Sequence, residues 1–486
     1  MNAEAMADKL AKFALENAPG LKEESELRER FGDPLFFDDK GKITGVNQPF
    51  FAAWYCKQFN PVYDPGEQRF YLYTPDKGLW EPQTEQRIIS KLAEMLREYA
   101  RKGKIPDLVR RQNVRLLSDI MVFLKAEAER RKCFDRSGNR FIHCANGVLV
   151  FDDVQNCWTL REFSPEDYSR NRSEIEYIPG AGCPRFLDKL ISPAMSKADA
   201  DLLQLYAGQC LIGVNLSQTF LVITGTPGGG KSTLVNILEA VIGRHNCTEL
   251  RLDLMNRPFE TFRLLGKTLL TAKDVSSRFL NSAGASKLKA LTGNDTQTAE
   301  MKGVAGGIDF VGCFNAIITS NSTLRVTLDG DSAAWRRRML WIKYENPPPQ
   351  EPVSEFDRVI LSTEASGVLN WMLAGAAKLL RAGGRISRPP EQQRRVDDLL
   401  LESDSVSSFI ADCVKPDGGA TVTINEMLIA FNEYCDQRGW QPLPERVFQK
   451  QLPDAMLNIH RAARRNDIKR DGKCQKGYSG MRLTRV

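Results

Sequence analysis

The chain has 486 residues, 42% of them apolar and 26% charged, with a formal net charge of +6. That length supports several domains, each able to bury a core, and no apolar run approaches the ~18 residues of a membrane span. Eleven scattered cysteines without a C-x-x-C pair, and only three histidines (His143, His245 and His460), argue against a disulfide framework, a zinc site and histidine-based catalysis.

The chain opens on Met1-Asn2-Ala3-Glu4, with no basic region leading into an apolar core, so no signal peptide is expected and the reduced thiols suit a cytoplasm. A helix is expected from Ala3 to Glu16. Arg69–Thr74 and Leu79-Trp80, joined by Pro75-Asp76-Lys77-Gly78, read as a β-hairpin. Thr84 is placed to cap a helix whose apolar face carries Ile88, Leu92, Met95 and Leu96. A second helix is expected over Pro106–Arg131, with Arg110, Arg111 and Arg115 on its polar side. This first unit, 1–143, reads as small and α+β, and it offers no carboxylate pair for a polymerising centre. A boundary is expected at Cys144–Leu149, followed by a mostly helical unit, 144–215, with a helix from Ser196 to Leu211.

Thr219–Ile223 is of strand type, and Thr233–Ile242 carries Leu234, Val235, Leu238, Val241 and Ile242 at helical spacing. Between them stands Gly225-Thr226-Pro227-Gly228-Gly229-Gly230-Lys231-Ser232, which fits G-x-x-x-x-G-K-[ST] and runs on to Thr233. Strand, glycine loop and helix form the context in which this pattern cradles phosphates. Glycines bring backbone N–H groups onto phosphate oxygens, and the helix N-terminus adds partial positive charge. Lys231 is then the phosphate-binding cation and Ser232 a Mg²⁺ ligand, which makes ATP and Mg²⁺ the expected ligands.

Hydrolysis needs more than a cradle, and three further stretches supply candidates. Lys267–Asp274 is a buried-type strand ending in Asp274, an acid for Mg²⁺ and water. Phe314–Asn321 is a strand ending in Asn321, a polar sensor. Asp331–Arg338 brings Arg336, Arg337 and Arg338 before the strand Met339–Ile342, and a planar guanidinium suits phosphoryl charge. Between acid and sensor, Leu288–Asp295 and Thr298–Gly303 suggest a hairpin bearing Lys302, with Lys289 ahead of it, as contacts for single-stranded DNA.

Four features together resemble the superfamily 3 helicases of the phage and plasmid primase–helicase family, which includes the poxvirus primase–helicase. They are Ala145-Asn146-Gly147-Val148 with Phe163–Tyr168 and Cys183–Phe186, the glycine loop, Leu291–Asp295, and Asn321 followed by Trp335-Arg336-Arg337. The resemblance runs from about Cys144 to the C-terminus. It implies an α/β fold with an AAA+-type P-loop ATPase core (216–345), a helical lid (346–400) and a winged-helix DNA-binding domain (401–486). By the resemblance Lys231, Asp274 and Asn321 are catalytic, and Arg337 or Arg336 is given in trans by a neighbouring subunit. Two departures stand out. The second acidic motif usually carries Glu, where Asp274 here follows Lys273, and the N-terminal unit lacks primase residues.

Beyond the core, Pro347-Pro348-Pro349 breaks the chain and Ser366–Leu380 is an apolar helix. Helices at Ile424–Arg438 and Pro444–Gln451 precede a terminus from Arg461 to Val486 with nine Lys/Arg against two Asp/Glu, a local +7. Arg464, Arg465, Lys469 and Arg470 are its expected phosphate contacts. The expectation is an ATP-dependent DNA helicase that forms a hexameric ring and acts on single-stranded and forked DNA in a bacterial host cytoplasm, with 3′→5′ polarity implied by the family and a separate primase or polymerase as partner. Two other readings stay open: a DNA-stimulated loader or remodeller, and an origin-binding assembly switch.

Overall fold

The structure is a computed structural model that describes residues 19–40, 42–134, 141–281, 284–300, 307–326, 332–351 and 353–484. The helix expected over Ala3–Glu16 lies outside the described residues.

The first unit comprises α1 (Pro19–Phe31), β1 (Leu35–Phe37), β2 (Ile43–Val46), α2 (Gln48–Phe59), β3 (Val62–Asp64), β4 (Arg69–Thr74), β5 (Leu79–Gln83) and α3 (Glu85–Lys102). Asn47 caps α2 by accepting from the Phe50 N–H at 3.2 Å, and its amide donates to the carbonyls of Phe31 and Asp33. Thr84 caps α3, and Ile88, Leu92, Met95 and Leu96 are buried on its inner face. The long helix expected next is two, α4 (Pro106–Arg111) and α5 (Val114–Glu127). Asn113 accepts from the Leu116 N–H at 2.9 Å, so its side chain starts a new helix instead of continuing the old one.

The boundary expected at residue 144 falls inside a sheet. β6 (Phe141–Cys144), β7 (Gly147–Asp152) and β8 (Cys157–Arg161) pair antiparallel, with His143 opposite Val148. The unit expected to be helical therefore begins in strand. The residues after it fasten the N-terminal unit to the rest: Tyr168 stacks on Trp80 with ring centroids 5.5 Å apart, and the Trp80 indole donates to the Pro165 carbonyl at 2.8 Å. Pro184–Phe186 forms one helical turn, continued by a π-turn over Leu187–Ile191, and the N–H groups of Arg185 and Phe186 are both accepted by the buried Glu364 carboxylate at 3.0 Å.

The centre is a five-stranded, wholly parallel sheet in the order Cys247–Glu249, Leu269–Val275, Asn315–Ser320, Phe220–Thr224, Met339–Lys343. Its elements follow α6 (Lys197–Ile212): β9 (Phe220–Thr224), α7 (Lys231–Ile242), β10 (Cys247–Glu249), β11 (Leu269–Val275), α8 (Ala285–Thr292), the hairpin β12 (Thr296–Ala299) and β13 (Ile308–Val311), β14 (Asn315–Ser320), α9 (Ser332–Arg338) and β15 (Met339–Lys343). After β15 come α10 (Phe356–Arg381) and α11 (Pro390–Ser403). Helices cover both faces, as a parallel sheet demands. Leu203, Leu234, Leu238, Val368 and Met372 form one core layer with Leu221 and Ile317. Leu288, Trp335, Val396 and Leu399 form the other with Val222 and Ile318.

The apolar helix expected over Ser366–Leu380 lies within α10 and packs on this core through Val368, Leu369, Met372 and Leu373. α10 lies against α6 so closely that a Cβ on Gly375 would stand 1.9 Å from the Gln204 carbonyl oxygen, and one on Gly208 would stand 2.1 Å from the Ala376 nitrogen. A buried amide set holds the strand register: Gln209 donates to Asn215 and Asn315, and Asn215 donates to the carbonyls of Thr219 and Phe314.

The C-terminal unit is α12 (Ser405–Cys413), β16 (Val414–Thr423), α13 (Ile424–Gln437), α14 (Glu445–His460), β17 (Arg465–Arg470) and β18 (Lys473–Leu483), with sheet order β16-β18-β17. Thr423 and Glu426 form a reciprocal capping box at α13. α14 continues past the expected end at Gln451, through Pro453, because Phe448, Leu452, Ala455 and Met456 bury one continuous face. Among the described residues no helix is long and apolar enough to cross a membrane.

Candidate functional site

The loop after β9 has its glycines for two different reasons. Gly228 and Gly230 hold φ of +77° and +98°, which side chains disfavour. A Cβ on Gly225 would lie 1.7 Å from the Tyr344 carbonyl oxygen, and one on Gly229 would lie 2.4 Å from that of Asn346. The chain leaving β15 thus braces the loop from behind. Asn346 adds two amide bonds, to the Gly229 carbonyl at 3.0 Å and the Lys189 carbonyl at 3.1 Å. Gly230 stands at the cap position of α7 and has no side chain with which to bond the first N–H groups of the helix.

Lys231 is 3% exposed, and its ammonium donates to the carbonyls of Gly225 at 2.9 Å and Thr226 at 2.7 Å. Burial lowers its pKa, while the nearby Asp274 charge acts in the opposite direction. The next residue, Ser232, donates its hydroxyl to the Asp274 carboxylate at 3.1 Å.

A bulge aims Asp274 there. β11 and β14 pair Ala272 with Ile318 and Val275 with Ser320, so Lys273 and Asp274 together stand opposite Thr319 alone. Asp274 has φ of +53°, an uncommon backbone state for a residue with a side chain. Its N–H donates to the buried Thr319 hydroxyl at 3.0 Å. The bulge rotates Lys273 the other way, to the Asn236 amide oxygen and the Glu239 carboxylate, each at 2.7 Å. Glu239 also accepts from the Thr271 hydroxyl at 2.6 Å. Both Asn236 and Glu239 belong to α7, so this network ties the helix bearing Ser232 to the strand bearing Asp274.

Asn321 follows the last residue of β14 and is exposed. It lines an open cavity of about 480 Å³ together with Gly225, Thr226 and Pro227. The structure therefore brings Gly225–Ser232, Asp274 and Asn321 to one end of the sheet, at the carboxyl edge of β9, β11 and β14. Thr233 is in the first turn of α7.

The arginines are at the opposite edge. β15 is parallel to β9 and pairs Met339 with Phe220 and Lys343 with Thr224, so Arg336–Arg338 precede the strand whose far end meets the loop, about 16 Å away by strand rise. They do not reach the loop of their own chain. They also differ among themselves. Arg336 pairs with Asp397 at 2.6 Å, Arg338 is buried beside Gly293, and Arg337 is exposed. The Arg388 guanidinium donates to the carbonyls of Arg336 and Arg337, closing the C-terminus of α9.

The expected nucleic-acid contacts divide. Lys302 lies outside the described residues. Lys289 is on α8, half-buried, with its ammonium 5.4 Å from the Trp335 ring centroid, so it does not extend from the hairpin. Arg470 is held by Glu426 at 2.8 Å and by the Thr421 carbonyl at 2.6 Å, because β17 lies beside the start of α13. Arg465 is paired with Asp467. Arg464 and Lys469 are exposed.

Sequence reasoning missed Thr319, Asn346 and the Glu239–Lys273 pair. Their roles arise from contacts across 34 to 157 residues of chain. The one available signal was Lys273 itself, a cation where a second acid was expected.

A profile described as a family of unknown function (DUF5906) matches residues 223–338, which span the glycine loop, Asp274, Asn321 and the arginines. A second, described as poxvirus D5 protein-like, matches residues 401–476. The uncharacterized mitochondrial protein ymf21 of Marchantia polymorpha is 34% identical over 127 residues, covering 23% of this chain and 71% of that protein. Among solved structures, the apo structure of the NrS-1 C-terminal region aligns with a TM-score of 0.51 at 12% identity, covering 90% of this chain and 100% of that one. Its A form aligns with a TM-score of 0.49 at 12% identity, covering 88% and 98%. At that identity, the first alignment is a likeness of fold.

Proposed function

We propose, for a chain that belongs to the same family as the Marchantia ymf21 protein and carries a poxvirus D5 protein-like C-terminal part, that it is an ATP-hydrolysing DNA helicase of the primase–helicase kind. The observation that carries this reading is the meeting of Ser232 and Asp274 at the mouth of the glycine loop. A hydroxyl and a carboxylate beside a buried lysine and uncapped helix N–H groups fit a triphosphate with its divalent cation. Mg²⁺ bound there would neutralise charge on the phosphate oxygens.

The chain's own residues then have separable tasks. The backbone of Gly225–Gly230 cradles the phosphates, and Lys231 exchanges its loop carbonyls for phosphate oxygens. Ser232 and Asp274 hold the cation, with Thr233 in the same turn. Asn321 orients the attacking water or the terminal phosphate. Arg337, too distant to act in its own site, completes the site of a neighbouring copy, which makes a ring the natural assembly. The all-parallel sheet with its ligand loop at the carboxyl edge supports an AAA+-type core. The order of α13, α14 and the β17–β18 hairpin supports a winged helix, with Arg464 and Lys469 as its exposed cations.

The test is strand separation of a forked DNA duplex by the purified protein with ATP and Mg²⁺, with Lys231→Ala as control. Unwinding by the unaltered chain alone is expected. Hydrolysis without unwinding would replace the helicase with a loader or remodeller. Full hydrolysis by the Lys231→Ala protein would sink the phosphate-loop assignment.

A further inference from the structure

The cavity that opens on the glycine loop does not end within the parallel-sheet core. Its lining passes from Gly225, Thr226 and Asn321 to Asp398 and Glu402 of α11 and to Trp440 of the C-terminal unit. At about 480 Å³ it falls within the usual range of small-molecule sites, roughly 300–1,000 Å³. Resting on the reading that the glycine loop binds a nucleoside triphosphate, we propose that Trp440 is the residue against which the nucleobase packs, so that the C-terminal unit forms a wall of the nucleotide site.

Two aromatic side chains line the cavity, Trp341 and Trp440. Trp341 is 7% exposed and its indole N–H donates to the Thr224 hydroxyl at 2.7 Å, which makes it part of the sheet. Trp440 is half-buried and retains accessible surface. It is also rigidly presented. α13 closes with Gly439 at φ of +68°, the Gly439 N–H on the Asp436 carbonyl at 3.0 Å, and the Trp440 N–H on the Cys435 carbonyl at 2.8 Å. That is a Schellman closure, and its usual apolar contact is present, with the Trp440 and Tyr434 rings edge-on and their centroids 5.8 Å apart. Arg438 lies 4.0 Å from the Tyr434 centroid and 5.7 Å from that of Trp440, and is held by Asp412 at 2.9 Å. An aromatic ring fixed in this way loses little freedom on binding.

Charge assigns the direction of the ligand. Asp398 and Glu402 share the cavity with Trp440 and would repel phosphate, whereas ribose hydroxyls and exocyclic amines can donate to them. Of the two cations in the lining, Arg395 is already bonded twice to Asp199, and Lys343 pairs in the sheet with Thr224, at the end of the cavity where the glycine loop begins. The triphosphate therefore belongs at the loop and the uncharged base beside Trp440. Stacking of this kind accepts any base, because every base has a π-face.

The experiment is calorimetric titration of the full chain with the β,γ-imido analogue of ATP and, separately, with inorganic tripolyphosphate. Trp440→Ala is expected to weaken analogue binding about tenfold and to leave tripolyphosphate binding unchanged, and Trp440→Phe to keep most of the affinity. Unchanged analogue affinity in Trp440→Ala, or equal losses for both ligands, would overturn the inference and leave the phosphate-loop reading standing. Absence of binding of either ligand to the unaltered chain would overturn both.

Discussion

The Ser232 hydroxyl and the Asp274 carboxylate meet at 3.1 Å across 42 residues of chain, one from the first turn of a helix and the other from a bulge in the adjacent-but-one strand. The contact needs Asp274 to adopt a φ of +53°, a state that Asn also tolerates. Asp274→Asn should therefore fold normally and lose Mg²⁺-dependent hydrolysis at least about 100-fold. Hydrolysis rate and melting temperature measured on the same preparation check it; a loss of both together would mean that the bulge itself needs the carboxylate.

Thr319 supports that geometry from the neighbouring strand. Thr319→Val keeps the shape and removes the acceptor of the Asp274 N–H. Leaving that donor without a partner should cost about 1–3 kcal/mol of stability and lower kcat more than it raises KM. Denaturant unfolding with steady-state kinetics separates the two effects.

Lys273 and Glu239 tie β11 to α7. Lys273→Met should destabilise by ~2 kcal/mol, less than a fully buried pair because the Lys273 side chain keeps 30% of its exposure. Glu239→Gln in the same chain should recover part of the loss, since the uncompensated carboxylate is then gone. A double-mutant cycle measures the coupling, and simple additivity would show that the two side chains do not act as a pair.

Arg337 and Arg336 should behave differently. Arg336 is engaged by Asp397 in its own chain, whereas Arg337 is exposed at the sheet edge remote from its own loop. Arg337→Ala should assemble normally and hydrolyse poorly, and Arg336→Ala should retain turnover. Mixing Arg337→Ala with Lys231→Ala protein should restore activity that neither has alone, because mixed interfaces contain one intact half-site of each kind. No recovery on mixing would remove the arginine in trans.

The basic terminus allows a similar separation. Arg464→Ala with Lys469→Ala should weaken duplex binding and flatten the salt slope by about two. Arg470→Ala should chiefly lower the melting temperature, because its guanidinium joins β17 to Glu426 and Thr421. Duplex binding measured at several salt concentrations decides. An unchanged slope in the first variant would make the terminus a solvated surface.

Local patterns were legible because local forces make them. The strand–glycine-loop–helix order around Lys231, the cap at Thr84, the apolar face of α3 and the strand ends at Asp274 and Asn321 all follow from side-chain periodicity and backbone freedom within a few residues. Composition likewise gave the basic character of the terminus. Pairing between distant residues decided the rest. A two-for-one register between β11 and β14 turns Asp274 to Ser232 and Lys273 to Glu239, and no periodicity in the sequence announces a bulge. Glycine-to-backbone contact set how closely α10 approaches α6. Asn113 divided a helix that the apolar pattern would have continued, because a short polar side chain competes with the backbone for its N–H groups. The strand order set Arg337 and Lys231 at opposite ends of one sheet, and the partner of Arg470, Glu426, was decided only when the end of β17 met the start of α13. The sequence by itself determined which residues can bind phosphate, metal or nucleic acid, since that is a matter of side-chain chemistry. Only the tertiary structure decided which of them meet, since that depends on strand order, register and the close approach of helices.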